Sequence, residues 1–275
     1  MDSMGTGSYQ TSWVRASAVL GISCLLAPDA PSGRYLLLRT IFVDFPTLTR
    51  ARLVRRYKRF LADIEWLEGQ GSDVAHCPNT GAMTGCCDVG AQVWLSYHDN
   101  PRRKLSWTWE LVETSAGLAC IHSARANRVV EEALAKGFFP ELLSPGAEIR
   151  REPPLGQSAR ADFFLESNLG VFVEVKAVTL HRGASTGAFP DTTSLRATKH
   201  LRELMRVMAQ GHRAALIFCV LHAGIEEVSA AADIDPEYAC QLAVAMDAGL
   251  EVFTLLNDIS PHGIYPQKTT RLGSP

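Results

Sequence analysis

The chain reads as an α/β protein in which a small β-barrel precedes an α/β sandwich around a mixed sheet. Three observations carry that reading. Short β-like runs punctuated by glycine crowd residues 41–115. Over residues 116–265 the order is helix, antiparallel strands, helix, strand, helix, strand, as in a sandwich of helices on a sheet. Within that second region the stretch RADFFLESNLGVFVEVKAVT (Arg160–Thr179) places three charged residues on a mostly apolar hairpin.

A length of 275 residues suits two ordinary domains, each with its own core. With 47% hydrophobic and 20% charged residues the composition is that of a globular protein. A formal charge of −2 leaves no global cationic field, so any nucleic acid must be held by local patches. Seven cysteines form no CxxC pair, which argues against a disulfide framework and against a zinc ribbon. His76-Cys77 and Cys86-Cys87 are adjacent pairs, a poor fit to a tetrahedral shell. A reducing, cytoplasmic setting is expected.

Residues 1–40 are rich in Ser, Gly and Ala. The apolar run Ser17–Ala27 is about eleven residues long, short of the ~20 that span a bilayer. This stretch is expected to be a disordered extension, or to follow a start codon assigned too far upstream, and no membrane association is expected.

The barrel region opens on Arg50, Arg52, Arg55, Arg56, Lys58 and Arg59, six cations in ten residues. Phe60–Leu67 follows, alternating apolar and polar side chains as a half-buried strand does. Val93–Tyr97 and Trp107–Val112 are further strands, and Gly69, Gly71, Gly81, Gly85 and Gly90 mark the turns. An oligonucleotide-binding (OB) barrel fits this size. The cations here, with Arg103 in a second basic cluster and Tyr57, Trp94, Tyr97 and Trp109 interleaved, suit a nucleic-acid backbone groove. A solvated charged face over core aromatics is the competing reading. Backbone amides of the loop His76–Cys86 are candidates to receive a phosphate, against an ordinary connecting loop.

In the second region Arg125–Gly137 reads as a helix with Asn127 as N-cap and Gly137 as stop. Two strands follow, Asp162–Glu166 and Val171–Val178, joined through Asn168-Leu169-Gly170. A three-residue turn sets Asp162 opposite Lys176 and puts Asp162, Glu174 and Lys176 on one face. Two carboxylates can hold Mg²⁺ or Mn²⁺ through oxygen, and the lysine can orient water and stabilise a five-coordinate phosphorus. An exposed cross-strand salt bridge is the plain alternative.

Residues 181–190 read as a loop and Thr192–Gln210 as a helix with Arg196, Lys199 and Arg202 on one face and His200 beside them, suited to phosphates. Ala214–Leu221 is a buried strand, Asp235-Pro236 opens a helix running to Ala248, and Glu251–Leu256 is a last strand. Beyond Ile259 the chain is expected to be loose, with residues 266–275 a tail.

The segments RYKRFLAD (Arg56–Asp63), HCPNTGAMTGC (His76–Cys86), TWELVET (Thr108–Thr114), RAN (Arg125–Asn127), RADFFL (Arg160–Leu165), VEVKAVTL (Val173–Leu180), FPD (Phe189–Asp191), KHLRELM (Lys199–Met205) and AGIEEVSAA (Ala223–Ala231) resemble the sugar fermentation stimulation protein A (SfsA) family. The resemblance runs from about Phe45 to Leu256. It implies an OB-like N-terminal domain, a C-terminal domain like the PD-(D/E)XK nucleases, DNA binding, a link to regulation of sugar metabolism, and no long N-terminal extension. Carried over by residue, the nuclease-like motif falls on Asp162, Glu174 and Lys176, with Glu132 as a further acidic metal ligand. Arg196, Lys199 and His200 match the family's helix, while Leu195 and Thr198 replace its usual glutamate and glutamine. Three functions follow as expectations: a metal-dependent phosphodiesterase acting on DNA, a DNA-binding regulator whose site no longer turns over, or a protein-interaction module whose barrel binds a partner rather than DNA.

Overall fold

The structure, a computed structural model, describes residues 43–273 apart from 70, 145, 157, 158 and 168. The expected extension over residues 1–40 lies outside the described residues. Strand β1 (Val43–Asp44) leads into the barrel strands β2 (Leu48–Tyr57), β3 (Leu61–Trp66), β4 (Ser72–His76), β5 (Gln92–Tyr97), β6 (Trp107–Thr114) and β7 (Gly117–Cys120). Pairing runs β4-β3-β2-β5-β6, and a β4–β6 contact at His76 and Thr108 closes five strands into the OB barrel. The β2–β3 and β5–β6 ladders both carry a register shift, the kind of irregularity that bends strands into small barrels. Ala51, Leu53, Ala62, Ile64, Val93, Leu95 and Trp109 fill the interior. Four of the six cations, Arg50, Arg52, Arg55 and Arg56, lie on strand β2, where Ala51 and Leu53 point inward between arginines that point out, and Lys58 and Arg59 lie in the turn that follows.

After the barrel come α1 (Arg125–Ala135), β8 (Ile149–Arg151), β9 (Pro154–Leu155), β10 (Ala159–Arg160), β11 (Phe163–Leu165), β12 (Val171–Val178), β13 (Leu180–His181), β14 (Thr186–Phe189), α2 (Leu195–Ala209), β15 (Arg213–Val220), β16 (Glu227–Ala230), α3 (Pro236–Asp247), β17 (Glu251–Ser260) and β18 (Gly263–Leu272). The main sheet has the order β1-β18-β17-β15-β12-β11-β8, with β12, β15 and β17 parallel and the outer pairings antiparallel. Helix α1 covers one face with Ala126, Val129, Val130 and Ala133, packed on Val173, Ile217 and Phe253. Helices α2 and α3 cover the other, packing Leu201, Leu204, Tyr238 and Leu242 on Leu216, Phe218 and Val252. The buried run of β15 follows from this, because its two faces serve two cores.

Helix starts are capped as the sequence allows. Ser194 accepts from Ala197 N, and Asp235 accepts from Tyr238 N with Pro236 at the first helical position. The second Asp235 oxygen accepts from Ser194 N, so one carboxylate joins the two helix starts.

Several expectations are corrected. Strand β18 occupies residues expected to be a loose tail. Its Ile264 and Tyr265 are buried against β17, and that partner edge satisfies a backbone which polar composition alone suggested would stay solvated. Residues 181–190 carry β13 and β14, part of a three-stranded sheet with β16, instead of a loop. The boundary between the halves is not clean at 115, because β7 extends the barrel sheet to Cys120 and β1 belongs to the second sheet.

Candidate functional site

The hairpin β11–β12 brings the predicted acids together by a route other than the expected one. Leu165 pairs with Val171, so the connection takes the five residues 166–170 instead of three. Regular pairing stops at Phe163↔Val173, and Asp162 N donates to Val173 O. The Asp162 side chain then turns into the edge of β12, where Oδ2 accepts from Val175 N over 2.7 Å. Its Oδ1 accepts from Asn127 Nδ2, also over 2.7 Å. Asp162 is therefore at the sheet edge, held by a residue of α1, and not opposite Lys176.

Glu174 and Lys176 share the α2 face of β12, as alternation requires. Glu174 Oε1 accepts from Lys176 Nζ at 2.6 Å and from His200 Nδ1 at 2.5 Å. The glutamate is only 3% exposed and the histidine 7%. Glu174 Oε2 is buried with no hydrogen-bond partner. Burial on its own would raise the Glu174 carboxyl, but Lys176 and His200 together hold it below the usual carboxylate range. Asp162 goes the other way: burial, then the charge of Glu174, hold its carboxyl above that range despite the Val175 and Asn127 hydrogen bonds.

A buried and a half-buried carboxylate repelling one another, the buried one with an oxygen that no protein donor reaches, fit a hard divalent cation of the Mg²⁺ or Mn²⁺ type. Among the described residues no three His, Cys, Asp or Glu side chains gather as a ligand set. Glu132 ion-pairs with Arg128 one turn away, at 3.4 Å. Asn127 is the helix residue bonded to the hairpin acid. Sequence reading assigned Asn127 to an N-cap, but that position is Ala124, with no side-chain cap. The RAN motif was the signal that could have found it.

The site opens onto a cleft of about 660 Å³ between barrel and sandwich, lined by Arg59, Asn79, Thr80 and Gly81 on one side and by Asn127, Lys176, Asp191 and Arg196 on the other. Arg59 reaches it from a tight β2–β3 turn in which Lys58 (φ 48°) and Arg59 (φ 64°) are both left-handed. Strain of this kind, about 1–2 kcal/mol per residue, persists where surrounding structure enforces it.

The remaining predicted cations divide. Arg196, Lys199 and His200 line a second cleft with Arg160, and Lys58 is exposed. Arg52 donates to Gly90 O, Arg55 pairs with Asp63 at 2.6 Å, and Arg103 donates to Thr108 Oγ1. Arg56 is spent inside the protein, where its guanidinium donates to the carbonyls of Asn79, Gly81 and Arg59. Trp109 and Trp94 are buried, as the competing reading of core aromatics under a charged face expects, while Tyr97 is exposed. In the His76–Cys86 loop, Gly81 N donates to Asn79 Oδ1 and Met83 N to Asp191 Oδ2, so both amides are already used.

The two halves are joined at Glu110. This fully buried acid on β6 accepts from Ser96 Oγ (2.8 Å), His122 Nδ1 (2.7 Å) and Arg125 Nε (2.7 Å). Burial opposes its charge, yet His122 and Arg125 bring its carboxyl down to about 2. Arg125 thus anchors α1 to the barrel two residues before Asn127 anchors it to the acid pair.

An OB barrel clasped to a mixed-sheet α/β domain, with an acid–acid–lysine group at the sheet edge between them, defines the class. Family models match both parts: "SfsA N-terminal OB domain" over residues 54–121 and "Sugar fermentation stimulation protein RE domain" over residues 124–263. The chain belongs to the sugar fermentation stimulation protein (SfsA) family. It is 49% identical over 223 residues to the sugar fermentation stimulation protein homolog of Pseudomonas paraeruginosa (strain DSM 24068 / PA7), covering 80% of this chain and 94% of that one. The Shewanella baltica (strain OS195) homolog is 46% identical over 224 residues, with the same coverage. The solved structure of Pyrococcus furiosus SfsA, in complex with Ca²⁺, superposes with a TM-score of 0.74 at 24% identity, covering 85% of this chain and 98% of that one. No helix among the described residues is long and apolar enough to cross a membrane.

Proposed function

We propose that this protein binds DNA in the cleft between its two halves and hydrolyses phosphodiester bonds there with Mg²⁺ or Mn²⁺ held by Asp162 and Glu174. The observation that carries this reading is the unpartnered, buried Glu174 Oε2 beside a second carboxylate whose proton affinity is raised by burial and then by that same neighbour. The calcium complex of the Pyrococcus furiosus relative is in keeping with an oxygen-ligated cation in this fold. A divalent ion, when bound, supplies polarisation of a phosphoryl oxygen and a more acidic water.

The protein's own groups do the rest. Asn127 and Val175 N fix the Asp162 carboxylate, and His200 fixes that of Glu174. Lys176 Nζ is tethered to Glu174 at the cleft, where it can orient an attacking water and stabilise charge developing on phosphorus. Arg59 and Arg196 on facing walls orient the strand through its phosphates without reading sequence.

Purified protein is expected to nick or degrade DNA only with Mg²⁺ or Mn²⁺. Asp162→Asn and Lys176→Ala are expected to abolish cleavage and leave DNA affinity in place; cleavage persisting in either variant would sink the assignment. The second reading, a DNA-binding regulator of sugar-metabolism genes without turnover, is favoured by the two-member acid set. It is the outcome if DNA binds tightly and no metal ion produces cleavage. A steep fall of affinity with salt marks both DNA readings against a protein partner.

A further inference from the structure

A second cleft, of about 580 Å³, is walled by Arg160, Arg196, Lys199 and His200 together with Pro154, Gly156 and Ala159. Among the described residues, four of the seven that line it are cationic or can become so, and none is acidic. The groups are placed and not merely present. Arg160 Nη1 donates to Glu152 O over 2.8 Å, which holds its guanidinium at the rim. His200 is nearly buried, and with Nδ1 bound to Glu174 its Nε2 is the ring nitrogen left for a ligand. Arg196 lines this cleft and the first one alike. Lys176 in the first cleft and His200 in the second donate to the same glutamate oxygen.

We propose that this second cleft is a phosphate subsite, seating a phosphate of the same nucleic-acid strand whose reacting phosphate lies beside Lys176; this rests on the DNA reading above. Arginine forks paired with a lysine and an imidazole match the tetrahedrally disposed oxygens of a phosphate better than a lone carboxylate. Two anion-accepting clefts bridged by one arginine suit a polymer with regularly spaced charges.

The test is the salt dependence of binding to a fluorescent single-stranded oligonucleotide, measured for wild type, Arg160→Ala, Lys199→Ala, the double variant and Arg160→Lys. Melting temperatures serve as the folding check, and calorimetry with inorganic phosphate runs alongside. Losing the one seated phosphate should lower the slope of log K against log salt by about 0.7 in the double variant, each single alanine variant by less, with Arg160→Lys keeping it. An unchanged slope in the double variant overturns the subsite while leaving the DNA reading intact. Phosphate binding that disappears in the double variant, with an unchanged oligonucleotide slope, assigns the cleft to a free phosphate and overturns the strand phosphate. A wild type that takes phosphate there but no oligonucleotide overturns the DNA reading and keeps an anion site.

Discussion

The α-carbon of Gly81 is pressed so closely against the Asp191 carboxylate that a methyl group placed there would overlap both carboxylate oxygens. Asp191 Oδ2 also accepts from Met83 N. A loop of the barrel is therefore docked on the segment that precedes α2, and the wall of the cleft depends on that docking. Gly81→Ala should cost about 1–3 kcal/mol, the usual range for overpacking. Asp191→Ala, which removes an acceptor from a buried amide, should cost a comparable amount. Both are measured as shifts in urea midpoint with unchanged m; wild-type stability in Gly81→Ala would mean the loop can move away freely.

Arg56 and Arg59 are neighbours in sequence with opposite jobs. Arg56 satisfies loop carbonyls, whereas Arg59 faces the cleft. Arg56→Ala should lower the melting temperature, because several carbonyls lose a shared donor. Arg59→Ala should leave melting unchanged and weaken DNA binding with a shallower salt slope. The reverse pattern would show that the two roles have been exchanged.

Acid should destabilise the fold in two separate windows. His222 is buried, with Nδ1 accepting from Gly224 N and Nε2 facing Thr114 Oγ1. Burial, and then the neighbouring His181, lower its pKa from 6.5 to about 4. The unfolded chain takes up this proton first, so stability falls as pH drops from about 6.5 towards 4. Glu110 is depressed from 4.5 to about 2, so its contribution is present above 4.5 and is lost as pH falls towards 2. Urea unfolding across pH should show both slopes. His222→Gln should remove the first slope and Glu110→Gln the second.

Removing the partner of Glu110 is more severe than titrating it. Arg125→Ala leaves a buried carboxylate with Ser96 and His122 alone, a change worth roughly 3–5 kcal/mol when a buried pair is broken. Arg125→Met, which keeps an unbranched stem but loses the guanidinium that lies over the Phe45 ring, should be little better if charge dominates and clearly better if stem packing does. Chemical denaturation distinguishes the two.

Asn127 acts through Asp162, so its effect should be read on the ion. Asn127→Ala frees Asp162 Oδ1 from its orienting donor and should weaken Mn²⁺ binding by about 10–100-fold, as loss of an orienting partner does at other metal sites. Mn²⁺ titration followed by electron paramagnetic resonance gives the affinity directly. A variant that binds Mn²⁺ as wild type does would reduce Asn127 to a packing residue.

Much of this arrangement could be read from residues alone. The Glu174–Lys176 spacing placed both side chains on one face because a strand alternates, and Asp235-Pro236 marked a helix start because a capping carboxylate and a fixed φ act locally. Asp162 was harder. Its position depends on a five-residue connection and on an asparagine 35 positions upstream, and no local pattern encodes either. The arginines of β2 and of the turn that follows it show the same limit. Alternation says which of them point outward, yet only the folded barrel reveals that Arg55 meets Asp63 while Arg59 meets the cleft. Strand β18 was missed because its polar residues find their backbone partners in β17, a pairing that composition does not announce.

Strand β1, laid beside β18 before the chain enters the barrel, makes the barrel an insertion within the sandwich and not a bead ahead of it. Two covalent tethers, one on each side of the insertion, restrict how far the halves can swing apart. A fragment cut at the start of the helical half would lack its own outermost strand, so dissection of this protein should excise the barrel and rejoin the flanks.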